Sequence, residues 1–223
     1  MKKTITERGF TLIEIMVSMV ISSLVVAGIY GVYTIQQRSY TTQEKVTEIQ
    51  QRLRSAVDFI SRDIRMAGYS TDTPPSCSIS NNLMLLKVLP DKFSFQYCEQ
   101  GIRNTITYQL EDGGKLRRTL MIQGSTMPLP RDIADGIDGI EFQYLQGDAE
   151  TVTTTASAIR VVRLSILARS TYPDPNYTDR LLHLPGSGSG NATWSGKFNS
   201  NPANDNFHRR LLITSIELRN VGL

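Results

Sequence analysis

FTLIEIMVSMVISSLVVAGIYGVY, residues 10–33, carries one charge, at Glu14, and no proline. As a helix rising about 1.5 Å per residue it extends roughly 36 Å, enough to cross a hydrocarbon layer of ~30 Å with some tilt. MKKTITERG, residues 1–9, precedes it with Lys2, Lys3 and Arg8. Basic residues ahead of an apolar span place residues 1–9 in the cytoplasm and the remainder of the chain outside. One reading is a secretory signal peptide, with Val25 and Ala27 as the small residues before a cut at Gly28. A second is a plain membrane anchor. Neither gives Glu14 a task, although a carboxylate at the centre of such a span costs about 2.5–3.5 kcal/mol on insertion scales and less near its end.

Downstream, no proline interrupts the chain before Pro74. Val46, Ile49, Leu53, Val57, Ile60, Ile64 and Ala67 step by three or four, which marks one face of a helix. Glu48 and Arg52, and Asp58 and Arg62, stand four apart, the spacing of ion pairs on a helix surface. With those acidic neighbours, the arginines at 52, 54, 62 and 65 read as a solvated face rather than a basic patch. Gly68, then Ser70, Thr71, Pro74 and Pro75, reads as a stop. One helix over residues 10–67 would be roughly 87 Å long. Residues 10–33 would be its membrane half and residues 34–70 an amphipathic continuation. Gly28 and Gly31 either admit a neighbouring helix closely or loosen this one, each costing about 1 kcal/mol relative to alanine.

Beyond residue 71 the period changes to two. Phe93, Phe95 and Tyr97 alternate, and Ile102, Ile106, Tyr108 and Leu110 partly follow. Glu111-Asp112-Gly113-Gly114 reads as the turn of a hairpin that continues into KLRRTLMI. Ile140, Phe142 and Tyr144 alternate, as do Val162, Leu164, Ile166 and Ala168, and the pattern returns at Leu212, Ile216 and Leu218. Five to seven strands after one long helix predict an α+β fold, with a mostly antiparallel sheet in residues 71–223 packed on the helix. Residues 171–209 break the pattern with four prolines and the run Gly186-Ser187-Gly188-Ser189-Gly190. They read as a flexible surface loop. Trp194, the single tryptophan, either anchors that loop or is displayed to a partner. Asn176-Tyr177-Thr178 and Asn191-Ala192-Thr193 fit the glycosylation triplet, a pattern short enough to arise by chance.

Composition narrows the function. The 223 residues are 40% hydrophobic and 20% charged. That balance suits one globular head. A net charge of +3 does not imply nucleic acid. Cys77, Cys98, His183 and His208 are too few and too scattered for a zinc site, and no metal or other cofactor is expected. If the apolar segment exports the rest of the chain, both cysteines meet an oxidising compartment. A Cys77–Cys98 disulfide is then the simplest reading, two free thiols the other. Cys98 with His183 would make a nucleophile and base, but a bridge is the more economical use of Cys98. Asp174, Asp179 and Asp205 lack the spacing of a calcium loop, and no Gly-x-Ser-x-Gly occurs. No set of catalytic roles emerges, so no enzyme is expected.

Gly9-Phe10-Thr11-Leu12-Ile13-Glu14 resembles the processing site of type IV prepilins and of type II secretion pseudopilins. The resemblance implies that prepilin peptidase cuts between Gly9 and Phe10, that Phe10 becomes N-methylated, and that the helix is kept. Glycine suits such a site because a protease can approach a backbone that lacks a side chain. IQQRLRSAVDFISRDIRMAGYS, residues 49–70, is similar to the PilW-type minor pilins, with the J-type pseudopilins next. DGIDGIEFQYL (135–145), IRVVRLSILARS (159–170) and ITSIELRN (213–220) extend that likeness loosely. The implied protein is a minor type IV pilin that primes a pilus or sits near its tip. It would pass from the inner membrane, with its head in the periplasm, to the extracellular filament. Its partners would be other major and minor pilins, with a tip adhesin as a further candidate. Glu14 would pair with the new α-amine of a neighbouring subunit. The rival of another class is a membrane-tethered periplasmic enzyme or binding module.

Overall fold

A computed structural model describes residues 9–70, 77, 84–188, 194 and 202–220. Residues 1–8, Pro74, Pro75 and the triplet at Asn191 lie outside the described residues. Helix α1 runs from Leu12 to Arg65 as a single 54-residue element. The chain divides into two compact units between Glu44 and Lys45. In the first unit, the large apolar side chains from Leu12 to Ile35 are exposed around the helix. An 18-residue window reaches a mean hydropathy of 2.3, so the helix is long and apolar enough to cross a membrane. A helix apolar on all sides has no one face to bury in water, which suits lipid or a bundle of like helices.

In the second unit the apolar residues of α1 become a stripe. Ile49, Leu53, Ala56, Val57, Ile60, Ile64 and Ala67 are buried, while Val46 is only half-buried. The helix ends where predicted because Gly68 takes a left-handed φ of 76°. A Cβ at that position would run into the Met84 sulfur and lie 3.0 Å from the Asn220 carbonyl. Glycine is needed there for space as well as conformation. The freed backbone is then tied to the head. Gly68 N–H donates to the Gln96 carbonyl at 2.9 Å, and Cys98 N–H to the Tyr69 carbonyl at 2.8 Å.

The strands form two antiparallel sheets where one was expected. The first is β1 (Leu85–Val88), β2 (Lys92–Glu99), β3 (Ile102–Glu111), β4 (Lys115–Ile122) and β5 (Leu129–Ala134), paired in that order. The second is β6 (Ile137–Leu145), β7 (Val161–Arg169) and β8 (Arg209–Glu217), again in order. A single 3-10 turn at Ala156–Ala158 lies between β6 and β7. The alternation predicted for β2, β3, β6, β7 and β8 and the hairpin arm predicted for β4 correspond to strands. β1 and β5 were not expected. Both are sheet edges, and β5 carries Pro130 and is largely exposed. Neither therefore shows the alternation of a half-buried strand.

Both sheets share one core with α1, which joins Ile60 and Ile64 to Phe93, Ile106 and Leu116 and to Ile140, Leu164 and Ile216. Where the sheets meet, the Phe93 ring lies 5.5 Å from Phe142 and 5.6 Å from Tyr144, and the Tyr144 hydroxyl donates to the Leu89 carbonyl at 2.8 Å. That bond satisfies the polar tip of a buried ring. On the helix side, Asp63 accepts from the Tyr108 hydroxyl and from Arg118 Nε, each at 2.6 Å. Burial pushes the Tyr108 hydroxyl far above its usual range, and the Asp63 carboxylate beside it adds to the rise.

Candidate functional site

The junction named by the sequence lies just before the helix. Gly9 and Phe10 are outside regular structure, and Phe10 is 82% exposed. Thr11 caps α1. Its carbonyl accepts from the Glu14 N–H at 3.1 Å and the Ile15 N–H at 3.3 Å, and its hydroxyl from the Glu14 N–H at 3.3 Å. Thr11 and Glu14 have the spacing of a capping box. The Gly9–Phe10 peptide therefore stands outside the hydrogen-bonded ladder, where a protease can reach it without unwinding a turn. A Cβ on Gly9 would meet nothing within 4 Å, and its φ is not left-handed, so the fold does not itself require glycine here.

Polar groups within the span are turned inward along the helix. Ser18 and Ser23 donate to the carbonyls of Ile15 and Val20, each at 2.8 Å. These bonds spare each hydroxyl an unpaired place in an apolar setting. The Glu14 carboxylate has no hydrogen-bond or ion-pair partner among the described residues. Gly28 leaves a shallow groove lined by Val25, Ile29, Val32, Tyr33 and Gln36. A Cβ at Gly28 or Gly31 would touch nothing. Both glycines thus present open helix surface, the kind that lets a second helix come close.

Residues 6–30 match the family described as the prokaryotic N-terminal methylation motif. Among solved structures, a type IV-like pilin from Thermus thermophilus superposes with a TM-score of 0.50 at 16% identity, over 78% of this chain and 98% of that one. The fold is type IV pilin-like. At that identity the likeness speaks for the architecture alone. No curated protein matches the chain.

The pilin-like head separates the residues considered for chemistry. Cys98, on β2, is bonded to Cys77, their Cα atoms 6.2 Å apart. His183 Nε2 is 2.9 Å from Asp179, so Cys98 and His183 are not brought together as nucleophile and base. Among the described residues no group of three or more His, Cys, Asp and Glu could hold a metal. The bridge closes a loop of about 22 residues, worth roughly 3 kcal/mol in the chain-entropy model. Cys98→Ser is expected to lower the unfolding free energy of the head by about that much in urea titration, with the amino-terminal junction processed as before. An unchanged midpoint would show that the loop is held without the bridge.

The described part of the 171–209 stretch, residues 171–188, 194 and 202–208, is a packed lobe. This lobe is built on Arg209, whose side chain is 2% exposed. Arg209 donates to Asp138 at 2.7 Å, to Asp179 at 3.0 Å and to both oxygens of Asp205 at 2.6 Å. Burial works against its charge, but the three carboxylates outweigh that and raise its affinity for the proton. Trp194 is fully buried and donates to the His183 carbonyl at 2.5 Å, so it anchors the lobe. It sits over Gly139, where a Cβ would approach its ring to 2.8 Å, and packs with Leu167 and Leu211. Asp174 takes His208 at 3.1 Å and Lys45 at 3.6 Å, and Tyr177 stacks on His208.

The helix arginines also differ from expectation. Arg52 pairs with Glu48 as predicted at 2.5 Å, but it also donates to the Asp135 carbonyl and to Thr171, bracing α1 against the lobe rather than water. Among the described residues Asp58 and Arg62 form no ion pair.

Proposed function

We propose that the chain is a type IV pilin or pseudopilin, and within that class a minor, PilW-type subunit that primes a pilus or sits near its tip. Prepilin peptidase cuts between Gly9 and Phe10 and Phe10 is N-methylated. The 10–33 helix holds the protein in the inner membrane with the head in the periplasm until it joins other pilins in the filament. The observation that carries this reading is the methylation motif at residues 6–30, within which the exposed Gly9–Phe10 peptide immediately precedes a capped apolar helix. The pilin-like architecture of the rest supports it.

Intact-mass analysis of the protein from a host with a prepilin peptidase tests the reading. The mature chain is expected to begin at Phe10 with one added methyl group, and Gly9→Val is expected to leave the precursor uncut. A mature start at Gly28 would mark a secretory signal and overturn the proposal. Deletion separates the two branches of the class: lost twitching marks a pilus subunit, and lost export of secreted enzymes marks a pseudopilin.

A further inference from the structure

β8 ends the second sheet, and its outer side is unpaired among the described residues. Its partner β7 uses alternate residues. Leu218 N–H donates to the Arg160 carbonyl and Ser170 N–H to the His208 carbonyl, which puts the even-numbered residues of β8 in the hydrogen-bonded positions. In an antiparallel ladder the intervening residues point their N–H and C=O groups the other way. The backbones of Leu211, Ile213, Ser215 and Glu217 therefore face away from β7. The edge has no proline, runs nine residues and exposes Ile213, Ser215 and Glu217. It thus lacks the proline, bulge or short length that commonly keeps an edge from pairing with another strand.

That edge opens on a groove of about 690 Å³ between β8 and the carboxyl-terminal half of α1. Thr214 lines it from the strand, and Val57, Ser61, Met66 and Tyr69 from the helix and its closing turn. Its charged lining is Asp58, Arg62, Arg65 and Arg219, two net positive charges. The three arginines are exposed and have no carboxylate partner among the described residues. The two faces of β8 differ in chemistry. Leu212 and Ile216 point to the core on the α1 side, whereas Leu211 packs with Trp194 on the other and Ile213 is exposed.

We propose that β8 and the adjoining face of α1 form a strand-addition site for an extended segment of another protein that alternates carboxylate and apolar side chains. The backbone of such a segment completes the unpaired ladder. Carboxylates on one side of it meet Arg62, Arg65 and Arg219, and apolar residues on the other lie beside Ile213. The proposal does not depend on filament membership, because purified protein suffices to test it.

The probe is a fluorescein-labelled six-residue peptide alternating valine and glutamate, titrated by anisotropy against the full chain in neutral detergent. Saturable binding is expected, weakened about tenfold or more when lysine replaces glutamate or when Arg62→Glu and Arg219→Glu are combined. Two further peptides carry N-methyl groups on the amides of the valines or of the glutamates. A strand that pairs along one edge presents only one of these sets to β8, so one peptide is expected to lose binding and the other to keep it. Equal behaviour of the two N-methylated peptides, or equal affinity for the lysine peptide, would overturn the proposal whatever the state of the arginine variant.

Discussion

Arg209→Met is expected to lower the stability of the head by about 3–5 kcal/mol, the cost of stranding one half of a buried ion pair. The side chain of Asp179 is fully buried, and without Arg209 it keeps no cationic partner but His183, with the Tyr177 hydroxyl and the backbone N–H of Leu181 as neutral donors. Asp138 and Asp205 lose the same cation. Urea titration followed by the emission of Trp194, the single tryptophan, reads the lobe directly. The indole is buried over Gly139 and bonded to the His183 carbonyl. Arg210→Met is the control. The Arg210 side chain is exposed. Its loss should cost less than about 0.5 kcal/mol, the ordinary range for a surface substitution. If the two variants unfold together, Arg209 does not hold the lobe. The same cluster sets an acid limit. Burial alone would raise the Asp179 carboxyl, but His183 and Arg209 outweigh it and hold it below the usual carboxylate range. Arg209 does the same for Asp205, and His208 for Asp174. Carboxyls depressed in the folded state contribute stability that is present above their unfolded value of about 3.9 and lost as pH falls through the folded values. Trp194 emission is therefore expected to stay constant from neutrality to about pH 4 and to shift red below it.

Glu14→Ala should be cut and inserted like the wild type yet be depleted from sheared filaments about a hundredfold. Removing one partner of a buried ion pair costs about 3 kcal/mol or more, and each step of about 1.4 kcal/mol is a factor of ten. Cleavage after Gly9 would create an α-amine on Phe10 at the start of an apolar helix, where the helix dipole is also positive. Glu14 is the only acidic residue in the span, and its carboxylate has no partner among the described residues. In a filament core with little water, the amine of a neighbouring subunit would supply that partner and set the axial register of helices otherwise packed by leucine, isoleucine and valine. Glu14→Gln distinguishes this from helix capping. Glutamine keeps the Thr11 capping spacing but not the charge, so it too should be excluded from filaments. Wild-type recovery of the glutamine variant would reduce Glu14 to a cap, and recovery of the alanine variant would remove both roles.

Much of the site lay open in the sequence because its determinants are neighbours along the chain. The apolar span and the buried stripe from Ile49 to Ala67 are each properties of one helix. A period of about 3.6 reports a helix face without reference to anything else. Strands β2, β3, β6 and β7 declared themselves by alternation for the same reason. The cover over such a face is a different matter. Leu167 sits on the side of β7 away from α1 and is buried because Trp194 arrives over it from a segment without any period.

Charged residues were the least legible, since a carboxylate beside a distant arginine reads the same as one in water. Asp138 and Arg209 are 71 positions apart, and Arg52 reaches Thr171 across 119. The sequence by itself determined the membrane-length helix and the antiparallel strands, because each is written in contacts within a few residues. Only the tertiary structure decided that the strands divide into two sheets around one core, that the loop after β7 closes on a buried cation, and that β8 is left with an open edge beside three arginines without carboxylate partners among the described residues. Those outcomes depend on which desolvated groups find partners across the chain, and no local pattern records that.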